Sequence, residues 1–184
     1  MAGITVDAKK LLEAGAHFGH KTSRWHPAMA PYIHSKRAGN HIIDLTQTAD
    51  KLEIALSAIT KAVAGGGKIL VVSTKRQAVD AIQKLADETS MPFVVNRWLG
   101  GMMTNYNTMS ERIKHLKGLE EKMANGELAA KYSKLEVQRF QEEIDDMNVM
   151  YGGIKDMPAR PAMVFVVDIL HDKNAVLESA TLGI

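Results

Sequence analysis

The stretch HFGHKTSRWHPAMAPYIHSKRAGNHIIDL, His17 to Leu45, holds five of the seven histidines of a 184-residue chain, together with Lys21, Arg24, Lys36, Arg37, Trp25, Pro27 and Pro31. Three chemistries compete for such a mixture. A zinc site combines imidazole with thiolate or carboxylate at helical or hairpin spacing. This chain has no cysteine, and no carboxylate lies between Glu13 and Asp44. His17 and His20 are three apart, but His26, His34 and His41 are scattered and two prolines interrupt them, so no metal site is read here. Acid–base or nucleophilic work needs a partnered imidazole, and no triad partner stands nearby. The third chemistry is contact with a polyanion. Lys21, Arg24, Lys36, Arg37 and the histidines face no compensating acid in the span, and Trp25 and Tyr32 are rings of the kind that stack on bases. The plainer alternative is a packed loop, with the histidines hydrogen-bonded to backbone and both rings laid on the body of the protein.

Further basic and glycine-rich motifs follow. STKRQ, Ser73–Gln77, stands between an apolar run and a helical pattern. Free N–H groups at a helix start favour an anion, and Lys75 and Arg76 add charge. An ordinary Ser/Thr cap with solvated cations explains the motif equally well. It lacks the glycines that let a dinucleotide pyrophosphate approach closely. GGGK, Gly65–Lys68, has the residues of a phosphate loop in the wrong order, because it ends a helix and opens a strand; it reads as a helix stop and turn. NRWLGGMMTN, Asn96–Asn105, and GGIKDMPARP, Gly152–Pro161, read as structural joints.

These motifs need elements to position them. TVDAKKLLEAG is a short helix with Thr5 or Asp7 as its cap. The span through Pro27 and Pro31 has no sustained period and is expected to be extended and irregular, with NHIIDL as a candidate strand. TQTADKLEIALSAITKAVAGGG has a helical stripe of Leu52, Ile54, Leu56, Ile59 and Val63. KILVVST is a buried strand. The next helix turns Ala78, Val79, Ile82, Leu85 and Ala86 inward, PFVVNRW is a second strand, and AMVFVVD a third, followed by the helix NAVLESATLG. This alternation predicts an α/β fold with a parallel sheet covered by helices. Between Asn107 and Met150 it breaks. Met109, Ile113, Leu116, Leu119 and Met123, then Val137, Phe140, Ile144, Met147 and Tyr151, follow heptad spacing on either side of a turn at Gly126. The reading is a discontinuous α/β domain of residues 1–106 and 151–184, with an antiparallel coiled-coil hairpin, 107–150, inserted between two strands.

Composition bounds the function. A net charge of +2 excludes a polycationic tail, so any nucleic-acid site must concentrate its charge locally. The absence of cysteine excludes disulfides and thiolate chemistry. No secretory leader and no apolar run of membrane-spanning length is present, so the expected chain is intracellular, with no membrane partner. From residue physics alone, two function classes remain: an RNA-binding structural protein, and a flavodoxin-like nucleotide-binding enzyme.

LLEAGAHFGHKTSRWHPAMAPYI, HIIDL, KILVVSTKR, NRWLGGMMTN, GGIKDMP and AMVFVVD resemble, in order and spacing, the bacterial small-subunit ribosomal protein S2 family, across nearly the whole chain. The resemblance implies a flavodoxin-like domain with an inserted coiled-coil hairpin. It implies a structural role on the cytoplasmic ribosome, bound to small-subunit rRNA, beside neighbouring small-subunit proteins and supporting attachment of ribosomal protein S1. No catalysis, cofactor, metal or small-molecule substrate comes with it. The RNA-contact candidates are then His17, His20, Lys21, Arg24, Trp25, Lys36, Arg37, Lys75 and Arg76. Beyond Ile184 the family pattern continues with another strand and a terminal helix; relative to that pattern the sequence is truncated, which predicts an open sheet edge and uncovered apolar helix faces.

Overall fold

The computed structural model describes residues 6–184; Thr5, the alternative cap, lies outside them. The chain divides into two compact units, Met1–Lys61 and Ala62–Ile184.

In the first unit, helix α1 (Ala8–Glu13) is capped by Asp7, whose carboxylate accepts the Lys9 N–H at 2.8 Å. Three strands follow, β1 (Phe18–Lys21), β2 (Ile33–Arg37) and β3 (Asn40–Ile43), forming an antiparallel sheet in the order β1-β3-β2. The candidate strand NHIIDL is thus present as β3, and the span expected to be irregular contributes two further short strands to the sheet. Its periodicity is hidden for two reasons. Each outer strand pairs with β3 through an irregular register, between Phe18 and Lys21 and between Ile33 and Ser35. The β2–β3 turn is Ala38-Gly39, both at positive φ (48° and 77°), the backbone of a tight hairpin without its usual Asn-Gly sequence. The prolines obey their constraint by standing outside the strands, in a 3-10 stretch at Pro27–Tyr32. Helix α2 (Leu45–Ala64) begins where Asp44 accepts the Thr46 N–H at 2.9 Å, and it buries no residue fully despite its apolar stripe.

The second unit is built on a parallel sheet of β4 (Ile69–Val72), β5 (Phe93–Val94) and β6 (Met163–Val166), in the order β5-β4-β6. Every residue of the central strand is buried, because a strand with neighbours on both sides and helices on both faces has no solvent side. Leu70 and Val72 pack with Val94, Trp98, Met102 and Ala175. Val71, on the opposite face, packs with Ile82 of helix α3 (Val79–Thr89). Ile82 and Ala86 are buried as expected, but Leu85 is 42% exposed, since the buried arc of α3 is narrower than the apolar stripe. Helix α7 (Lys173–Leu182) supplies Ala175 and ends at Gly183 in the left-handed conformation. This is the α/β, flavodoxin-like core. The outer side of β6 is unpaired among the described residues, and Val176 and Leu177 of α7 are exposed.

Between β5 and β6 the chain forms α4 (Tyr106–Ala124), a short α5 (Glu127–Lys131) and α6 (Lys134–Tyr151). Leu116, Leu119, Ile144 and Met147 make a core of their own, flanked by Met123, Phe140 and Tyr151. These are the heptad positions. The connection is longer than a simple turn: Gly126 (φ 72°) starts α5, which buries Leu128. The Glu136 carboxylate then accepts the N–H and the hydroxyl of Ser133 at the start of α6.

Candidate nucleic-acid interface

The β1-β3-β2 sheet sorts the basic residues onto two faces. Directly paired strand residues share a face, and alternate residues along one strand return to it. Lys21 and Arg37 both pair with Asn40, while Phe18 and Ser35 both pair with Ile42. One face therefore carries Lys21, Asn40 and Arg37 in one row and Phe18, Ile42 and Ser35 in the next. Lys36 pairs with His41 and lies on the other. There the His41 ring is buried, with no hydrogen-bond partner for either nitrogen among the described residues. The Trp25 ring lies against it, centroids 5.5 Å apart, and the Lys36 Nζ stands 5.9 Å from the centre of Trp25. Of the two jobs considered for it Trp25 does the packing one: one side covers His41, while 44% of it stays exposed near the Lys36 ammonium.

Arg24 ends a 3-10 turn, Thr22–Arg24, and is exposed, as are His20, Lys21, Lys36 and Arg37. His26 is partly used locally, its Nδ1 accepting the Ala28 N–H at 3.2 Å. His17 is half-buried, with its ring against Phe18. Among the described residues none of Lys21, Arg24, Lys36 and Arg37 has an ion-pair partner. Sequence reasoning missed Phe18, an exposed ring on the same face as two of these cations; only the strand register reveals that grouping.

Lys75 and Arg76 belong to the second unit, at the carboxyl end of β4. The anion-binding capacity expected there is largely taken by the protein's own carboxylates. Asp172, buried, accepts the Thr74 N–H at 3.1 Å and its hydroxyl at 2.7 Å. Lys75 pairs with Asp168, which also accepts the N–H groups of Leu170 and His171. Burial alone would raise the Asp168 carboxyl, but the Lys75 ammonium and the two N–H donors outweigh it and bring it down to about 2. Arg76 remains exposed.

RWLGGMMT forms a second internal anion site, and its occupant is Glu178. That carboxylate accepts the Trp98 Nε1–H at 2.9 Å and the N–H groups of Gly101, Met103 and Thr104 at 2.8 to 3.2 Å. Burial opposes its charge, yet the Trp98 and backbone donors hold the carboxyl below its ordinary value. A joint was expected here. The residue that locks it was not visible, because Glu178 lies 74 to 80 positions away from its partners.

A half-open cleft of about 350 Å³ lies beside β5, and its polar side chains are Gln83, Asn96 and Asn148. It offers neutral hydrogen-bonding groups, with no acid, base or nucleophile in the lining. Among the described residues no group of three His, Asp or Glu side chains is placed to hold a metal ion, and no helix is long and apolar enough to cross a membrane.

Comparison with known proteins agrees with the fold. A family model described as Ribosomal protein S2 matches residues 11–184. A small ribosomal subunit protein uS2 of Zymomonas mobilis is 47% identical over 184 residues, 100% of this chain and 73% of the relative. The protein of that name in Dehalococcoides mccartyi is 44% identical over 180 residues, covering 98% and 73%. In Rhodospirillum rubrum the figures are 44% over 184 residues, 100% and 70%. A family match over nearly the whole chain, joined to an α/β core with an inserted helical hairpin, places this protein in the ribosomal protein S2 family, whose members are structural proteins of the small ribosomal subunit.

Proposed function

We propose that this chain binds small-subunit rRNA on the cytoplasmic ribosome, chiefly through the N-terminal unit, and supports attachment of ribosomal protein S1 beside neighbouring small-subunit proteins. It acts by position and charge, with no turnover, cofactor or small-molecule substrate. The observation that carries the reading is that Lys21, Arg24, Lys36 and Arg37, four exposed cations on one small sheet and its adjoining turn, have no ion-pair partner among the described residues. Cations without an ion-pair partner suit phosphates, whose neutralisation releases counterions. Lys75 is a weaker candidate, because it is already paired with Asp168. The part concerning S1 rests on family resemblance, and the exposed helical hairpin is the surface available for protein contacts.

The test is the salt dependence of rRNA association. Each phosphate contact contributes about 0.7 to 0.9 to the slope of log K against log salt. Arg24→Ala with Arg37→Ala should weaken binding across RNA sequences and flatten the slope by roughly two contacts' worth, about 1.4 to 1.8. Lys131→Ala with Lys134→Ala, at the far end of the hairpin, should leave it nearly unchanged. An unchanged slope in the arginine variant removes both residues from the RNA surface.

A further inference from the structure

We infer that the sheet face carrying Phe18, Lys21 and Arg37 is a binding site for an unpaired stretch of RNA, with Phe18 stacking on a base while Lys21 and Arg37 hold neighbouring phosphates. The inference rests on the RNA-binding reading above and names the form of RNA that this face takes.

Phe18 is 68% exposed, the most exposed large apolar side chain among the described residues. One exposed ring is ordinary on a protein surface. This one has a second ring beside it. The His17 ring lies against it with centroids 4.0 Å apart. Gly15 lies beneath it: a Cβ at that position would come within 3.5 Å of the ring, and its φ of 76° already disfavours other residues. The His17 ring and the Gly15 backbone lie near the ring, and most of its surface remains open.

Its surroundings select the ligand. Lys21 and Arg37 flank Asn40 on opposite sides, and neighbouring strands are about 4.8 Å apart, so the two cationic stems rise roughly 10 Å from each other. Phe18 stands in the adjacent row, about 6.8 Å along β3. None of the paired strand residues on this face is acidic; Ser35 and Asn40 add neutral hydrogen-bonding groups. A protein partner would meet a small apolar island between two unmatched cations. A duplex would meet the cations but bury its bases away from the ring. An unpaired strand satisfies all three residues at once, since splayed bases stack on aromatic side chains and the backbone follows the charge.

The experiment compares the full chain with Phe18→Leu, Phe18→Trp and Lys21→Gln/Arg37→Gln, against a single-stranded oligouridylate of about ten nucleotides and a blunt RNA duplex of the same length. Phe18→Leu keeps an apolar side chain without the ring. It should weaken single-strand binding roughly five- to a hundredfold, leave the salt slope unchanged, and bind the duplex as the parent does. Phe18→Trp should bind the single strand at least as tightly as the parent. The double cation variant should flatten the slope on both RNAs. The inference is overturned if Phe18→Leu binds the single strand like the parent, if it loses equally on both RNAs, or if Phe18→Trp behaves like Phe18→Leu. If Phe18 proves indifferent while the parent still binds rRNA with a steep salt slope, this inference fails and the proposed function stands. If the parent binds no RNA, both fall. Thermal unfolding of each variant checks that a loss is not a loss of fold.

Discussion

Single carboxylates hold the second unit together at two places, and both are sensitive to acid. Glu178 draws Trp98 and three backbone N–H groups onto one side chain. Glu178→Gln removes the charge and turns an acceptor oxygen into a donor facing N–H groups. It should cost about 1 to 3 kcal/mol, read as a lower urea midpoint in an unfolding curve followed by tryptophan fluorescence. Asp168 gives a second test. Its carboxyl falls from 3.8 in its ordinary state to about 2 in the folded protein. A depressed carboxyl contributes stability that is fully present above its unfolded value and is lost as pH falls through the folded one. Stability should therefore drop between about pH 4 and pH 2, and Asp168→Asn should flatten that part of the profile. An identical acid limb in the variant would show that the Lys75–Asp168 pair does not contribute. Neither carboxylate was singled out from the sequence, because its role depends on partners far away in the chain: Lys75 and Asp168 are joined only when β4 and β6 pair. The cations were easier to find, since an acid-free run of basic residues is local information.

Element-level signals survive in the sequence where they are long. The heptads of α4 and α6 extend over five apolar positions each, and seven of those ten form the hairpin core, while Ile113 packs into the core of the α/β body. The β-branched run of β4 likewise marks a strand buried on both faces. Of the antiparallel sheet only β3 was legible, as the run NHIIDL; β1 and β2 were not, because strands of four or five residues with bulged registers never complete a visible alternation. α5 was hidden for a similar reason: one turn of helix after a glycine looks like a turn. Because the hairpin has its own core, Leu116→Ala, at a fully buried site, should cost about 2 to 5 kcal/mol. Replacing residues 107–150 by a short Gly-Ser linker in the full-length protein should leave a cooperative α/β body, measured by calorimetry; loss of the transition would show that the hairpin is not separable. At the joint, Gly153 faces β5 so closely that an added Cβ would lie 2.3 Å from the Phe93 carbonyl oxygen. Gly153→Ala must therefore move β5 or the 3-10 turn, and should lower the melting temperature even though the change is one methyl group.

At the scale of the molecule, a parallel sheet of this kind often carries a nucleotide at its carboxyl edge, and here that edge is occupied by internal partners. Asp172 takes Thr74, and Asp168 takes Lys75. Calorimetry with ATP, GTP, NAD and FMN should accordingly show nothing tighter than the millimolar range; a micromolar complex would revive the enzyme reading. In the first unit Lys21, Arg24, Lys36 and Arg37, exposed and without an ion-pair partner among the described residues, stand on one small sheet and its adjoining turn, and the account gives them an anionic, extended partner. The most direct test is to sediment a lysate of cells making this protein through a sucrose gradient at low and at high salt. The account predicts that at low salt the chain travels with the small ribosomal subunit, and that rising salt shifts it toward the top of the gradient. A chain that stays with the free proteins at low salt would contradict it.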